Sequence, residues 1–162
     1  MDSALHTNMA AIRSKNTKPE ILVRHYLWGH GFRYRLNHPR LPGKPDIVLR
    51  KYRTCIFVNG CFWHGHEGCQ HYTVPKTNTE FWVSKIRRNK ERDEKVLHEL
   101  ASMGWHCIVI WECDLKPKVR KRTLESLAYT LNKIFLQDRT VKRYAMPEEE
   151  PMMAAEDVQT ER

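Results

Sequence analysis

Asp46-Ile47-Val48-Leu49-Arg50-Lys51-Tyr52-Arg53-Thr54-Cys55-Ile56-Phe57-Val58 runs directly into Asn59-Gly60-Cys61-Phe62-Trp63-His64-Gly65-His66-Glu67-Gly68-Cys69. The first part reads as two apolar strands, 46–49 and 54–58, joined by a polar hairpin connection. The second part is neither a good helix nor an alternating strand. From Val58 to Cys69 it holds two cysteines, two histidines, two adjacent aromatics and three glycines that let the backbone bend sharply. The strands define a sheet, and the loop leaving the second strand gathers the chemistry.

Outward from this centre the chain alternates between helix and strand signals. Asn16-Thr17-Lys18-Pro19-Glu20 is a helix start: Thr17 caps, Pro19 suits the first turn, and Glu20 favours the positive helix end. Ile21, Leu22, Tyr26 and Leu27 keep helical spacing up to Gly29 or Gly31. Phe32–Leu36 alternates as a strand, and Leu41–Pro45 is a turn. On the C-terminal side, Glu80–Met103 has a long apolar face (Ile86, Val96, Leu97, Leu100, Met103), Trp105–Trp111 is a hydrophobic strand, and Arg122–Phe135 is a final amphipathic helix. Helix, three strands, helix, strand, helix predicts an α/β fold: one domain with a central mixed β-sheet flanked by helices. The expected division is an N-terminal arm over 1–18, the domain over 19–144 and an acidic, disordered tail over 145–162.

Hydrophobic residues make up 41% and charged residues 29% of the 162, which suits a globular chain. No window is apolar enough to span a membrane, and the N-terminus lacks the apolar run of a secretory signal, so a cytoplasmic location is expected. Net charge is +9, yet Met146–Arg162 carries six acids and one base, which leaves about +14 on the rest. Such a basic excess suits a polyanion, nucleic acid first among them, although a solvated lysine-rich surface would look the same.

Five cysteines and no export signal favour thiols or metal over a disulfide framework. Cys61, His66 and Cys69 lie in the loop, and Cys113 follows at the end of a predicted strand. Together they make a four-ligand S/N set of the kind zinc closes tetrahedrally, a structural site with no open position. The spacing is not that of a standard finger, and His71 is an alternative ligand. Cys55 and Cys107 sit inside strands and read as core thiols.

Asp46, after Pro45 at a strand start, is a hard-oxygen ligand of the type Mg²⁺ takes, and a backbone carbonyl near Val58 could complete the site. His64 could take a proton from an attacking water, and Glu20 could orient that histidine or a metal-bound water. Taken singly, Asp46 is as easily a carboxylate bonded to local amides, and Glu20 a first-turn acid. Phe62 and Trp63, held among glycines and polar residues, suit a wedge that enters a base stack. Phe81 and Trp105 read as core packing. Trp82, Lys85 and Asn89 share one helix stripe, where lysine and asparagine can read base edges or simply face solvent.

Leu41-Pro42-Gly43-Lys44-Pro45-Asp46, Gly60-Cys61-Phe62-Trp63-His64, Thr79-Glu80-Phe81-Trp82, Asn89 with Arg92-Asp93, and Gly104-Trp105 with Trp111-Glu112-Cys113 resemble the very-short-patch repair (Vsr) DNA mismatch endonucleases, in order from about Asn8 to Leu136. The resemblance implies a restriction-endonuclease-like fold and a Mg²⁺-dependent nick 5′ to the T of a T:G mismatch left by deaminated 5-methylcytosine. It implies Asp46 as magnesium ligand, His64 as catalytic histidine and Glu20 at the acidic position of the first helix. It places Cys61, His66, Cys69 and Cys113 on structural zinc, Phe62, Trp63 and Trp82 on intercalation, and Met9, Lys85 and Asn89 on the mismatched pair. It further implies a double-stranded DNA partner, a bacterial, nucleoid-associated monomer and mismatch-repair accessory proteins. Two departures stand out. Val58-Asn59 replaces a Thr-His form; Val58 can still offer its carbonyl as a magnesium ligand, whereas Asn59 can bond a phosphate but cannot donate a proton as imidazolium. Glu67-Gly68 stands where a His-x-Cys form has one residue. The other reading, from a different class, is a zinc-stabilised module that binds distorted duplex without cutting. A third is an endonuclease with another mismatch or site preference.

Overall fold

A computed structural model describes residues 15–143. Helix α1 spans Lys18–Gly29, with Thr17 as its N-cap accepting the Glu20 N–H. Strands β1 (Arg35–Leu36), β2 (Ile47–Leu49) and β3 (Thr54–Asn59) follow. Helix α2 covers Thr79–Ser102, β4 covers His106–Trp111, and α3 covers Arg120–Arg143. The sheet order is β1-β2-β3-β4, antiparallel except for the parallel β3–β4 pair. That pair needs a crossover, and α2 supplies it. Among the described residues no helix is long and apolar enough to cross a membrane.

Period-two alternation sorts the strand residues onto two faces. Ile47, Leu49, Ile56 and Ile110 pack with Val23 and Leu27 of α1 and Leu124, Leu127 and Leu131 of α3. Val48 and Cys55 pack the other way, with Leu41 and with Leu100 of α2, joined by Phe57, Val96, Trp105 and Cys107. The sheet is thus sandwiched, with α1 and α3 on one face and α2 on the other. Leu131, with no exposed surface, is one side chain on which this core depends; truncation to Ala would cost about 2–5 kcal/mol.

The first strand is shorter than its alternation predicts. Phe32 turns inward against Tyr52, and the Arg33 guanidinium stacks 3.7 Å over Trp28, so only Arg35 and Leu36 pair with β2. The β2–β3 connection is a 3-10 turn, Arg50–Tyr52, closed by Arg53 in the left-handed region at φ 47°. The Leu41–Pro45 turn holds Gly43 at φ +71°, and a Cβ there would collide with Val96 of α2. Close approach to that helix therefore demands glycine.

Candidate active site and metal centre

The parallel register decides what the site contains. Asn59 at the end of β3 lies opposite Trp111 at the end of β4. Cys61 and Cys113 each come two residues later, so residues 52 apart in sequence leave the sheet side by side. Cys61, His66, Cys69 and Cys113 place their ligand atoms within 4.8 Å of one another, a group able to hold a metal ion. The Cys113 Sγ lies 3.4 Å from His66 Nδ1, and the His66 ring stacks on Trp111 at 4.1 Å, nearly parallel to it. Burial and the neighbouring thiols push Cys113 up to about 12, whereas the His71 N–H draws Cys69 down. His71 is exposed and stands outside the group of four; it supports Cys69 through its backbone N–H, 3.4 Å from the sulfur.

An open cleft of about 1430 Å³ runs beside this cluster. Glu20, Asp46, Val58, Asn59, Trp63 and His64 all line it, as do Lys18, Lys44, Lys90 and Arg92. Asp46 sits just before β2 and its Oδ2 accepts the Val58 N–H at 2.8 Å. Burial raises its carboxyl to about 6; the Glu20 charge adds to the rise, while the Val58 N–H, His64 and Arg24 restrain it. Glu20, buried at 3% exposure, pairs with Arg24 at 3.2 Å and accepts the Asn16 N–H at 2.9 Å. Arg24 also donates to Asn16 Oδ1, and its Nε is buried without a partner among the described residues.

His64 Nδ1 lies 2.6 Å from Asp93 Oδ2. A carboxylate beside Nδ1 accepts a hydrogen bond from the Nδ1–H tautomer and leaves the Nε2 lone pair for chemistry. The carboxylate in contact with His64 is therefore Asp93, while Glu20, expected to orient that histidine or a metal-bound water, is engaged by Arg24 and Asn16. One signal for Asp93 was present in the sequence: it lies four residues after Asn89 and continues the Trp82–Lys85–Asn89 stripe.

Three further contacts tie the loop to α2. Asn89 Nδ2 donates to the Trp63 carbonyl at 2.9 Å, and Lys90 pairs with Glu67 at 2.9 Å. Gly65, at φ +58°, passes so close to Ile86 and Lys90 that a Cβ would clash with both. Phe62, Trp63 and Trp82 form a triangle of edge-on contacts with centroids 5.3, 5.4 and 5.8 Å apart. Lys85 Nζ lies 5.3 Å from the Trp63 ring centre. Phe81, expected in the core, is instead 54% exposed and edge-on to Trp82. It sits in the first turn of α2, beyond the reach of the sheet, so it extends the aromatic group. Trp105 packs against the core as expected. Met9 lies outside the described residues.

A half-buried strand-start carboxylate and a histidine hydrogen-bonded to an aspartate share a cleft that Lys18, Lys44, Lys90 and Arg92 line together with six acids, a set of groups suited to hydrolysis. Comparison with known proteins makes the class specific. Residues 2–71 match the family model for DNA mismatch endonuclease Vsr. The DNA mismatch endonuclease Vsr of Escherichia coli is 42% identical over 124 residues, 76% of this chain and 78% of that protein. Type II nicking enzyme V.NmeAIP of Neisseria meningitidis is 56% identical over 110 residues, 68% of this chain and 78% of its own. Type II nicking enzyme V.XorIIP of Xanthomonas oryzae is 47% identical over 107 residues, 66% of this chain and 78% of its own. The chain belongs to the Vsr family and is a DNA endonuclease.

Proposed function

We propose that the protein nicks duplex DNA 5′ to the T of a T:G mismatch, with magnesium at Asp46 and structural zinc at the four-ligand cluster. The observation that carries the cleavage chemistry is the His64–Asp93 pair in the same cleft as Asp46. Magnesium, when bound, would neutralise and orient the attacked phosphate. Asp46 Oδ2 is spoken for by Val58, and Oδ1 has no protein partner among the described residues. Within a strand the N–H and C=O of one residue project to the same side, so the Val58 carbonyl faces the edge where Asp46 stands. That supports Val58 as a backbone ligand. His64 Nε2 would accept the proton of the attacking water while Asp93 steadies the imidazolium that forms. Glu20, fixed by Arg24, would orient a water rather than the histidine. Asn59, buried at the end of β3, offers an amide to the phosphate in the same cleft.

Donor chemistry and one ligand–ligand distance support zinc at the second site. Three thiols and an imidazole suit zinc, and bonds of about 2.0–2.3 Å put neighbouring ligand atoms roughly 3.3–3.8 Å apart. The 3.4 Å Cys113–His66 separation falls there. The loop so held would present Phe62 and Trp63, with Trp82, as the wedge beside the mismatch. Lys85, Asn89 and Met9 would contact the mispaired bases, the last from an arm over residues 1–18. A monomer acting on bacterial DNA in the cytoplasm, with or without mismatch-repair accessory proteins, suits this role. Strand-resolved product mapping on T:G, T:A and C:G duplexes of one sequence, with Mg²⁺ or EDTA, tests it. A single Mg²⁺-dependent nick 5′ to the mispaired T is expected. Equal cutting of the paired duplexes would refute the mismatch reading, and binding without any nick would favour a pure DNA-binding module.

A further inference from the structure

At the end of the sheet opposite the cleft, the β2–β3 connection meets the last turns of α3. Lys51 Nζ and the Arg139 guanidinium both sit on the Phe135 ring, 5.1 and 4.2 Å from its centre. Phe135 in turn packs on Tyr52 at 5.3 Å. Arg50 belongs to the same turn, and Arg53 next to it lies 5.2 Å from the Trp105 ring centre. Arg50, Lys51, Arg53 and Arg139 form no ion pair among the described residues. The neighbouring acid, Asp138, is taken by His106 at 3.2 Å. The Phe135 ring thus gathers Lys51 and Arg139, Arg50 stands beside them in the same turn, and Arg53 at its end leans on Trp105 and donates to the Met103 and Gly104 carbonyls; none of the four is paired with an acid among the described residues.

The chain itself carries the matching charge, and it starts at the same place. Helix α3 ends at Arg143, one turn past Arg139. Glu148-Glu149-Glu150 begins five residues later, and Glu156, Asp157 and Glu161 follow, against Arg162 as the one base after Tyr144. Five extended residues reach roughly 17 Å, and one helical turn back is about 5 Å, so the three glutamates can meet the basic face. Covalent attachment keeps them at a high effective concentration there.

We infer that the acidic segment 146–162 docks on the face formed by Arg50, Lys51, Arg53 and Arg139, and so keeps duplex DNA off this non-catalytic end. A +14 body without such a cover offers phosphates two competing surfaces, of which only the cleft leads to cleavage. Carbodiimide cross-linking of the full-length protein, read by mass spectrometry, tests the contact. Glu148–Glu150 should link to Lys51 at about 50 mM salt and lose the link near 1 M, where the Debye length falls to about 3 Å. In parallel, Glu148→Gln/Glu149→Gln/Glu150→Gln should bind fully paired duplex about three- to tenfold more tightly at low salt. Adding Lys51→Glu/Arg139→Glu to that variant should cancel the gain. Links confined to the cleft lysines Lys18, Lys44 and Lys90, or a gain that survives the second pair of changes, would place the segment elsewhere and overturn the inference. Unchanged duplex affinity in the triple variant would overturn it as well. Weaker duplex binding from Lys51→Glu/Arg139→Glu in the otherwise unaltered protein would show that this face holds DNA directly.

Discussion

His64 Nδ1 and Asp93 Oδ2 are 2.6 Å apart, bridging the loop after β3 and the middle of α2. The pair does two things: it fixes the tautomer that leaves Nε2 basic, and it locks the loop to the helix. Asp93→Asn keeps the size but offers an amide that can donate to Nδ1 and so favours the other tautomer. Such a change at a carboxylate–histidine pair is expected to lower the nicking rate by about 10²–10⁴-fold. Affinity for mismatched duplex in EDTA should stay within about threefold, since Asp93 is on the chemical side of the site. Single-turnover nicking with separate binding curves checks both halves. A wild-type rate would remove Asp93 from the mechanism.

Asp46 makes the protein pH-sensitive in a definite direction. Its carboxyl is raised to about 6, chiefly by burial, from the ordinary carboxylate range near 4. A carboxyl whose folded pKa is raised holds its proton more tightly in the folded state. Ionising it therefore weakens the fold as pH climbs from about 4 to about 6, and the full penalty, on the order of 3 kcal/mol, applies above that. Asp46→Asn, which can still accept the Val58 N–H, should match the wild type near pH 4 and be more stable at pH 8, while losing all nicking. Urea denaturation at the two pH values reads this. Added Mg²⁺ should recover stability for the wild type only, and most strongly above pH 6. Equal pH profiles for the two proteins would mean the burial of Asp46 carries no electrostatic cost.

The metal cluster depends on the parallel register of β3 and β4, because only that pairing brings Cys113 to Cys61. Cys113→Ser should reduce bound zinc well below one equivalent, measured by elemental analysis. It should also lower the nicking rate at least tenfold, since the loop carrying His64 loses one of its anchors. Cys55→Ser, inside the sheet and outside the cluster, should leave zinc content unchanged. Full zinc retention in Cys113→Ser would mean another residue closes the site.

The fold was legible where the sequence carries strong local signals. Thr17-Lys18-Pro19-Glu20 starts α1 as its capping chemistry predicts, and the apolar face of Glu80–Met103 coincides with α2 to within a residue. The grouping of Cys61, His66, Cys69 and Cys113 was legible because cysteine and histidine in a glycine-bent loop have few other uses. Side-chain partnerships across elements were not. Asp93 stands in the sequence only beside Arg92 in the family pattern, and its partner His64, 29 residues away, is met only in space. Arg24 is similar: its pairing with Glu20 fits i,i+4 spacing, but not its burial or its reach to Asn16. Phe81 was misplaced because hydrophobicity alone does not distinguish a core phenylalanine from one at the exposed start of a helix. The short β1 was overextended because alternation in 32–36 cannot show that Phe32 turns into the core and Arg33 stacks on Trp28.

The aromatic triangle of Phe62, Trp63 and Trp82 has a testable energetic role. Its members touch edge-on at 5.3–5.8 Å and are only half-buried, so they fill no tight core position. Truncating Trp63 should therefore cost the fold little, about 1 kcal/mol for an aromatic contact of this kind. A wedge that offsets part of the unstacking cost by stacking on a base should lose roughly 1–3 kcal/mol of binding when removed, or about 5–150-fold in affinity. That loss should fall on mismatched duplex and spare the fully paired one, whose binding rests on phosphate contacts. Asn89→Ala provides the graded control. It keeps all three rings but removes both the 2.9 Å bond to the Trp63 carbonyl and the proposed base contact of Asn89, and should still lose less mismatch affinity than Trp63→Ala. Competition binding with mismatched and paired duplexes in EDTA separates these cases. If Trp63→Ala weakens both duplexes equally, the rings serve general binding and the wedge assignment fails.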